Sequence, residues 1–154
     1  MIQRIQTVWL SITLLAALLL IKGSIIAFSA QGNETMTLGY DGFAKVTGNV
    51  PEILRSSAGI KVLLLLISSL SFVSIFLFRW RRLQKKAILV VFSFSLCLIF
   101  VLAYYYQVAV SDASLSIAKW IKLPLLIVMP ITSWLAYKGV QRDEKLVNSY
   151  DRLR

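Results

Sequence analysis

The chain has 154 residues and a net charge of +10, and 58% of its residues are hydrophobic. Its mean hydropathy of +0.74 lies above that of ordinary globular domains, so a soluble fold of this length has no polar layer to cover the apolar sequence. There is no histidine and one cysteine. This composition excludes a disulfide framework, metal sites built from His and Cys, and nucleophiles activated by histidine.

The first apolar run extends from Ile5 to Ile21 and is long enough to predict a membrane-spanning helix. Lys22 follows it, and apolar residues then continue to Phe28. A lysine at the centre of a bilayer costs about 2.5–3.5 kcal/mol, so we expect Lys22 near the outer interface of the membrane. The helix then runs on or turns at Gly23, and we assign the first span to about residues 5–28.

Residues 29–57 are the part of the sequence that resembles a soluble module, and we predict an outer loop there. Thr35–Tyr40 alternates polar and apolar residues, Asp41-Gly42 follows, and Phe43–Val46 is apolar again apart from one lysine. An Asp-Gly pair between two such runs is a strong signal for a β-hairpin. Because an isolated hairpin is only marginally stable in water, it should pack on the second outer loop or on a partner protein.

The second apolar run predicts a span over about residues 60–78. It carries Ser68, Ser71 and Ser74 at three-residue spacing. Their hydroxyls can bond to carbonyls of the preceding turn or to a neighbouring helix, which predicts a helix-packing face. A polar lining for a permeation path is the alternative interpretation.

A basic segment precedes the third span, which we assign to about residues 87–106 and in which Cys97 is expected to be a buried thiol. Anionic lipid headgroups attract such a segment by about 1 kcal/mol per basic residue. A docking surface for a cytoplasmic partner is the second interpretation, and contact with RNA, for example on a ribosome, is the third. The segment holds five basic residues and no acid: Arg79, Arg81, Arg82, Lys85 and Lys86.

The last part of the chain predicts three helical pieces. Ser114–Lys122 has the spacing of a short amphipathic helix. A fourth span follows over about residues 121–138, and Pro130 kinks or bounds it. Residues 139–154 predict a cytoplasmic amphipathic helix, with an apolar stripe beginning at Leu146 that lies on the membrane surface or docks on a protein.

The positive-inside rule orients these spans and places both termini in the cytoplasm. The basic residues divide into eleven on the predicted cytoplasmic side and six in the two other loops. We therefore predict an all-α membrane protein, with one domain over residues 1–154, four transmembrane helices, a small periplasmic β-hairpin and a cytoplasmic tail helix. The eleven are Arg4, Arg79, Arg81, Arg82, Lys85, Lys86, Lys138, Arg142, Lys145, Arg152 and Arg154.

Short motifs lie at the two ends of the chain: MIQRIQT over Met1–Thr7, RDEKLV over Arg142–Val147 and DRLR over Asp151–Arg154. Together with the length and hydropathy of the whole chain, they resemble an uncharacterised bacterial family, domain of unknown function 4293. The resemblance implies a protein of the inner membrane of Gram-negative bacteria of the Bacteroidota type. It implies no activity, so no functional residue is carried over, but it suggests that the cytoplasmic ends matter beyond topology.

No acidic residue lies inside a predicted span, so catalysis, a cofactor and a metal site are not expected. The first functional hypothesis is a non-catalytic accessory or scaffold subunit of a larger inner-membrane complex, such as protein export or envelope machinery. A small oligomeric transporter or channel is the alternative, and a lipid-acting membrane enzyme is the third hypothesis. Lipids and other inner-membrane proteins are the expected partners, with docking through Arg142, Asp143, Glu144, Lys145, Leu146, Asp151, Arg152 and Arg154, and headgroup or partner contact through the basic segment.

Overall fold

The computed structural model describes residues 3–29, 35–47, 50–77, 80–113, 116–119 and 122–151. Over these residues the chain forms four helices and one five-stranded sheet. The molecule is therefore mostly helical, but the sheet corrects the predicted all-α class. The helices are α1 (Gln3–Ile21), α2 (Ala58–Phe76), α3 (Arg81–Ala113) and α4 (Leu123–Asp151), and the strands are β1 (Ser24–Ser29), β2 (Thr35–Gly39), β3 (Gly42–Thr47), β4 (Val50–Ser56) and β5 (Ser116–Lys119).

The helices form a ring in which α1 packs on α2 and α4, and α3 packs on the same two neighbours. Two clusters of buried side chains fill the bundle. The smaller one joins Leu10, Ile88 and Ala136 from three helices, and the larger one continues from the bundle into the sheet. We call the end with the smaller cluster the terminal end, because α1 begins and α4 ends there, and the opposite end the sheet end.

The outward face of the helices is apolar. Phe100 is 73% exposed, and Phe72, Ile127 and Ile131 are also exposed on their helices. Three helical segments are long and apolar enough to cross a membrane, Ala58–Phe76, Arg81–Val108 and Leu123–Glu144, and Ile5–Ile21 is a shorter apolar helix. So large an exposed apolar surface is unfavourable in water and suits lipid, and the chain is a membrane protein.

Cys97 lies on this outward face. Its side chain is exposed on α3 and forms no disulfide, which contradicts the expected buried thiol. The apolar periodicity of the third span is too uniform to show which face turns inward, because nearly every neighbour of Cys97 is also apolar.

The predicted hairpin is confirmed. Strands β2 and β3 are antiparallel, with Gly39 opposite Gly42, so Tyr40 and Asp41 form the turn. Gly42 has φ +121°, a conformation that side chains on L-residues rarely adopt. The hairpin tip rests on the start of α2, because Asp41 forms an ion pair of 2.9 Å with Lys61.

The hairpin is part of a larger sheet with strand order β4-β3-β2-β1-β5. Here two predictions are wrong. Helix α1 ends at Ile21 and Gly23 (φ +74°) turns the chain, so residues 24–29 form β1 instead of extending the first helix to residue 28. The segment predicted as an amphipathic helix after Ser114 contains β5, which pairs antiparallel with β1. The sheet thus joins both loops at this end, but the hairpin pairs with β1 and β4, and β5 of the second loop pairs with β1 rather than with the hairpin.

Two further boundaries differ from the prediction. Helix α3 begins at Arg81, whereas the third span was predicted from about residue 87, so most of the basic segment is part of the helix. Helix α4 runs without interruption to Asp151, with Pro130 inside it, so the predicted tail helix is the continuation of the fourth helix. Both differences arise because charged residues end an apolar run but do not end a helix.

Candidate functional site

Charged residues of two helices meet at the terminal end of the bundle, where α3 begins beside the second half of α4. A cleft of 510 Å³ lies between these two helices. Its α3 wall carries basic residues nearest the helix start and aliphatic residues one turn further on. The lining consists of Arg82, Lys85, Lys86, Leu89 and Val90 from α3, with Tyr137 and Glu144 from α4. We call this the α3–α4 cleft.

An ion pair joins the two walls of the α3–α4 cleft. Lys85 Nζ donates to Glu144 Oε2 at 2.8 Å, and each side chain is 31% exposed. Because both groups reach solvent, the pair stabilises the fold only modestly. Arg82 and Lys86 are exposed and form no ion pair with any side chain in the described ranges. The cleft therefore keeps a positive charge that Glu144 does not neutralise.

The two terminal motifs of the sequence contact each other. Gln6 Nε2 donates a hydrogen bond to Asp143 Oδ2, and both side chains are buried, at 5% and 8% exposure. The second carboxylate oxygen of Asp143 is buried without a partner. Gly139 makes room for this contact, since a Cβ added there would lie 2.8 Å from Gln6 Cγ. Asp143, which sequence reasoning assigned to partner docking, therefore joins α4 to α1 within the chain.

The predicted docking residues consequently separate into groups. Asp143 and Glu144 contact their own chain, whereas Arg142 is exposed. Lys145, Leu146 and Asp151 lie on α4, and the structure describes their backbone. Arg152 and Arg154 lie outside the described residues.

The basic segment is likewise divided. Arg82, Lys85 and Lys86 meet at the α3–α4 cleft. Arg81 is partly buried at the first position of α3. Arg79 lies outside the described residues.

Sequence reasoning missed the polar residues that link the helices. Thr13 Oγ1 and Thr132 Oγ1 are 2.8 Å apart across the α1–α4 contact. Gln84 Nε2 donates to the carbonyl of Ser74 at 3.1 Å and so ties the start of α3 to the end of α2. The sequence did contain a signal for these residues. A polar side chain inside or beside an apolar helical run marks a helix–helix contact in membrane proteins.

The three serines predicted to form a packing face of α2 differ in burial: Ser68 is partly exposed, whereas the other two are buried. Ser71 and Ser74 are buried in the bundle. Ser74 Oγ donates to the carbonyl of Leu70 at 2.7 Å, and Ser68 Oγ donates to the carbonyl of Leu65 at 3.0 Å. Ser71 Oγ is buried without a hydrogen-bond partner among the described atoms. Most of this face therefore serves helix packing, and Ser71 alone retains an unpaired hydroxyl.

Three acidic side chains that the structure describes are engaged by the chain itself. Asp41 pairs with Lys61, Asp143 accepts from Gln6, and Glu144 pairs with Lys85. The described residues contain no group of three His, Cys, Asp or Glu side chains that could hold a metal ion. The strongest chemical feature on this part of the chain is thus the positively charged cleft.

Comparison with known proteins identifies one family. The family model described as "Domain of unknown function (DUF4293)" matches residues 2–153, almost the whole chain. This match confirms the family predicted from the terminal motifs. No curated protein matches the chain. The family description names no activity, so the functional argument depends on the geometry of the chain itself.

Proposed function

The chain belongs to the DUF4293 family, a domain of unknown function, and from that premise we propose that it is a non-catalytic accessory or scaffold subunit of a larger bacterial inner-membrane complex, such as protein export or envelope machinery. The observation that carries the proposal is the Gln6–Asp143 contact. It joins the beginning of α1 to the second half of α4 and so holds the exposed, charged Arg142 beside it on a well-anchored part of the bundle. A well-anchored surface favours docking, because it loses little conformational entropy on binding.

The proposal includes four membrane spans with both termini in the cytoplasm. Antiparallel packing of α1 on α4 supports termini on one side, because Gln6 and Asp143 lie together at the terminal end. Helix α1 has 19 residues, which at 1.5 Å per residue reach about 28 Å and match a hydrocarbon core of about 30 Å. The excess of basic residues at the terminal end supports its cytoplasmic location.

Arg142 is the position we propose for partner contact. It is exposed on α4, next to the buried Asp143. Lys138 lies one turn earlier, is also exposed, and sits over the Trp134 ring at 5.6 Å. The two residues carry the same charge on the same helix, so Lys138 provides a matched control.

The test is purification from native membranes in mild detergent, with Arg142→Glu and Lys138→Glu compared. We expect a stoichiometric partner with the unmodified chain and with Lys138→Glu, and its loss with Arg142→Glu. A monodisperse species without a stoichiometric partner contradicts the proposal. Retention of the partner by Arg142→Glu contradicts the assigned docking position.

A second candidate is a small oligomeric transporter or channel, and the unpaired, buried hydroxyl of Ser71 is the observation that favours it. Buried side chains fill the bundle of one chain, so a path would have to form between copies. Flux through reconstituted vesicles should then vanish with Ser71→Leu and persist with Ser69→Leu, because Ser69 is exposed on the same helix. Absence of flux with the unmodified chain would remove this candidate.

A further inference from the structure

We propose that the α3–α4 cleft binds one anionic phospholipid from the leaflet at the terminal end of the bundle. The inference deepens the proposed function, since it rests on the same placement of the bundle in a membrane. It does not depend on a protein partner. The shape of the cleft, its charge and its depth relative to the apolar surface each support this occupant.

The shape follows from helical spacing. Arg82, Lys85, Lys86, Leu89 and Val90 stand at positions i, i+3, i+4, i+7 and i+8 of α3, which form one face of a helix. Basic side chains occupy the first turn of this face, and aliphatic side chains the next. A ligand lying along the face therefore meets charge at one end and an apolar floor at the other, as a phospholipid requires.

Charge favours an anionic headgroup. Glu144 neutralises Lys85 at 2.8 Å, so Arg82 and Lys86 leave about two uncompensated positive charges at the mouth of the cleft. A phosphate can accept hydrogen bonds from both side chains. A zwitterionic lipid would bring its own cation beside these residues, whereas a headgroup with net negative charge would not.

The depth of the cleft matches the boundary between headgroups and acyl chains. Leu89 and Val90 are 48% and 38% exposed although they are aliphatic, so lipid contact would shield them. Tyr137 lines the cleft and stacks on Trp134, with ring centroids 5.6 Å apart. Tyr and Trp are enriched at this level of membrane proteins.

A second cleft on the same bundle provides an internal comparison. It has a volume of 650 Å³ between α1 and α2, and its lining is apolar apart from Ser68 and Ser69. It holds no charged side chain, so acyl chains can occupy it without selection for a headgroup. Preference for an anionic lipid should therefore depend on the α3–α4 cleft.

The test is native mass spectrometry of the full chain in mild detergent, titrated with phosphatidylglycerol or phosphatidylcholine. We expect one phosphatidylglycerol to be retained more strongly than phosphatidylcholine. Lys86→Gln should weaken its binding about five-fold, because a basic residue near a lipid headgroup contributes about 1 kcal/mol. The matched control Lys138→Gln removes the same charge outside the cleft and should leave binding unchanged.

Leu89→Trp provides a second variant, because it fills the apolar floor and alters no charge. We expect it to lower phosphatidylglycerol retention as well. Equal retention of the two lipids, or equal loss in Lys86→Gln and Lys138→Gln, overturns the proposal. Displacement of the lipid by millimolar inorganic phosphate also overturns it, since the site would then take a free anion. The lipid proposal and the partner proposal can fail separately, because a negative result in lipid binding would not change the co-purification of a protein partner.

Discussion

Replacing Gly139 by alanine tests the contact between the two ends of the bundle. In an ordinary helix this change stabilises by up to about 1 kcal/mol, because alanine is the better helix former. Here the new Cβ would lie 2.8 Å from Gln6 Cγ, closer than such atoms approach. The Gln6 amide is held by Asp143, so the side chain cannot move aside without losing that bond.

The expected magnitude follows from these two opposing effects. A hydrogen bond to a charged group contributes about 1.5–3 kcal/mol, and the gain in helix propensity offsets about 1 kcal/mol of its loss. Gly139→Ala should therefore lower the free energy of unfolding by about 0.5–2 kcal/mol. In a Gln6→Ala background the clashing atom is absent, and the same change should stabilise.

The measurement is the free energy of unfolding in detergent, titrated with SDS and followed by circular dichroism. Gly59→Ala is the matched control, because Gly59 lies in the first turn of α2 and nothing would contact a Cβ there. It should stabilise slightly in both backgrounds. The reasoning is refuted if Gly139→Ala has the same effect with and without Gln6, since the two residues would then be independent.

Three further predictions concern other parts of the fold. A double-mutant cycle of Thr13→Val and Thr132→Val should give a coupling free energy of about 0.6 kcal/mol in SDS unfolding, as is typical of hydrogen bonds between membrane helices. A coupling above about 3 kcal/mol would contradict this prediction. Lys122→Met should lower the free energy of unfolding by about 1–3 kcal/mol, because the Lys122 amine donates hydrogen bonds to two backbone carbonyls at the end of α1. The control Lys22→Met should change it little, because the Lys22 side chain is exposed. A spin label on Cys97 should collide more with oxygen than with an aqueous nickel chelate, since its exposed side chain faces lipid; the reverse preference would place this face in water.

Local pattern was enough to predict several elements. Apolar runs predicted all four helices, because a helix in a membrane satisfies its own backbone hydrogen bonds and requires only length and apolarity. The β2–β3 hairpin was predictable for a similar reason, since Asp41-Gly42 lies between two short runs. The terminal motifs also indicated the family, and the family match confirms it.

Local pattern was not enough for β1 and β5. The apolar run from Ile25 to Phe28 is equally compatible with a helix and a strand. Pairing decides between them: Phe28 lies opposite Met36 on one side and opposite Ile117 on the other. These partners come from distant parts of the sequence, so no window around Phe28 contains the deciding information.

The sequence by itself determined that this chain lies in a membrane as an apolar helical bundle, because hydropathy and length act within each segment. Only the tertiary structure decided that Asp143 contacts Gln6, and that Lys86 shares a cleft with Tyr137. These contacts depend on which faces of α1, α3 and α4 meet. Uniformly apolar helices do not specify those faces, and close packing of buried side chains across the bundle does.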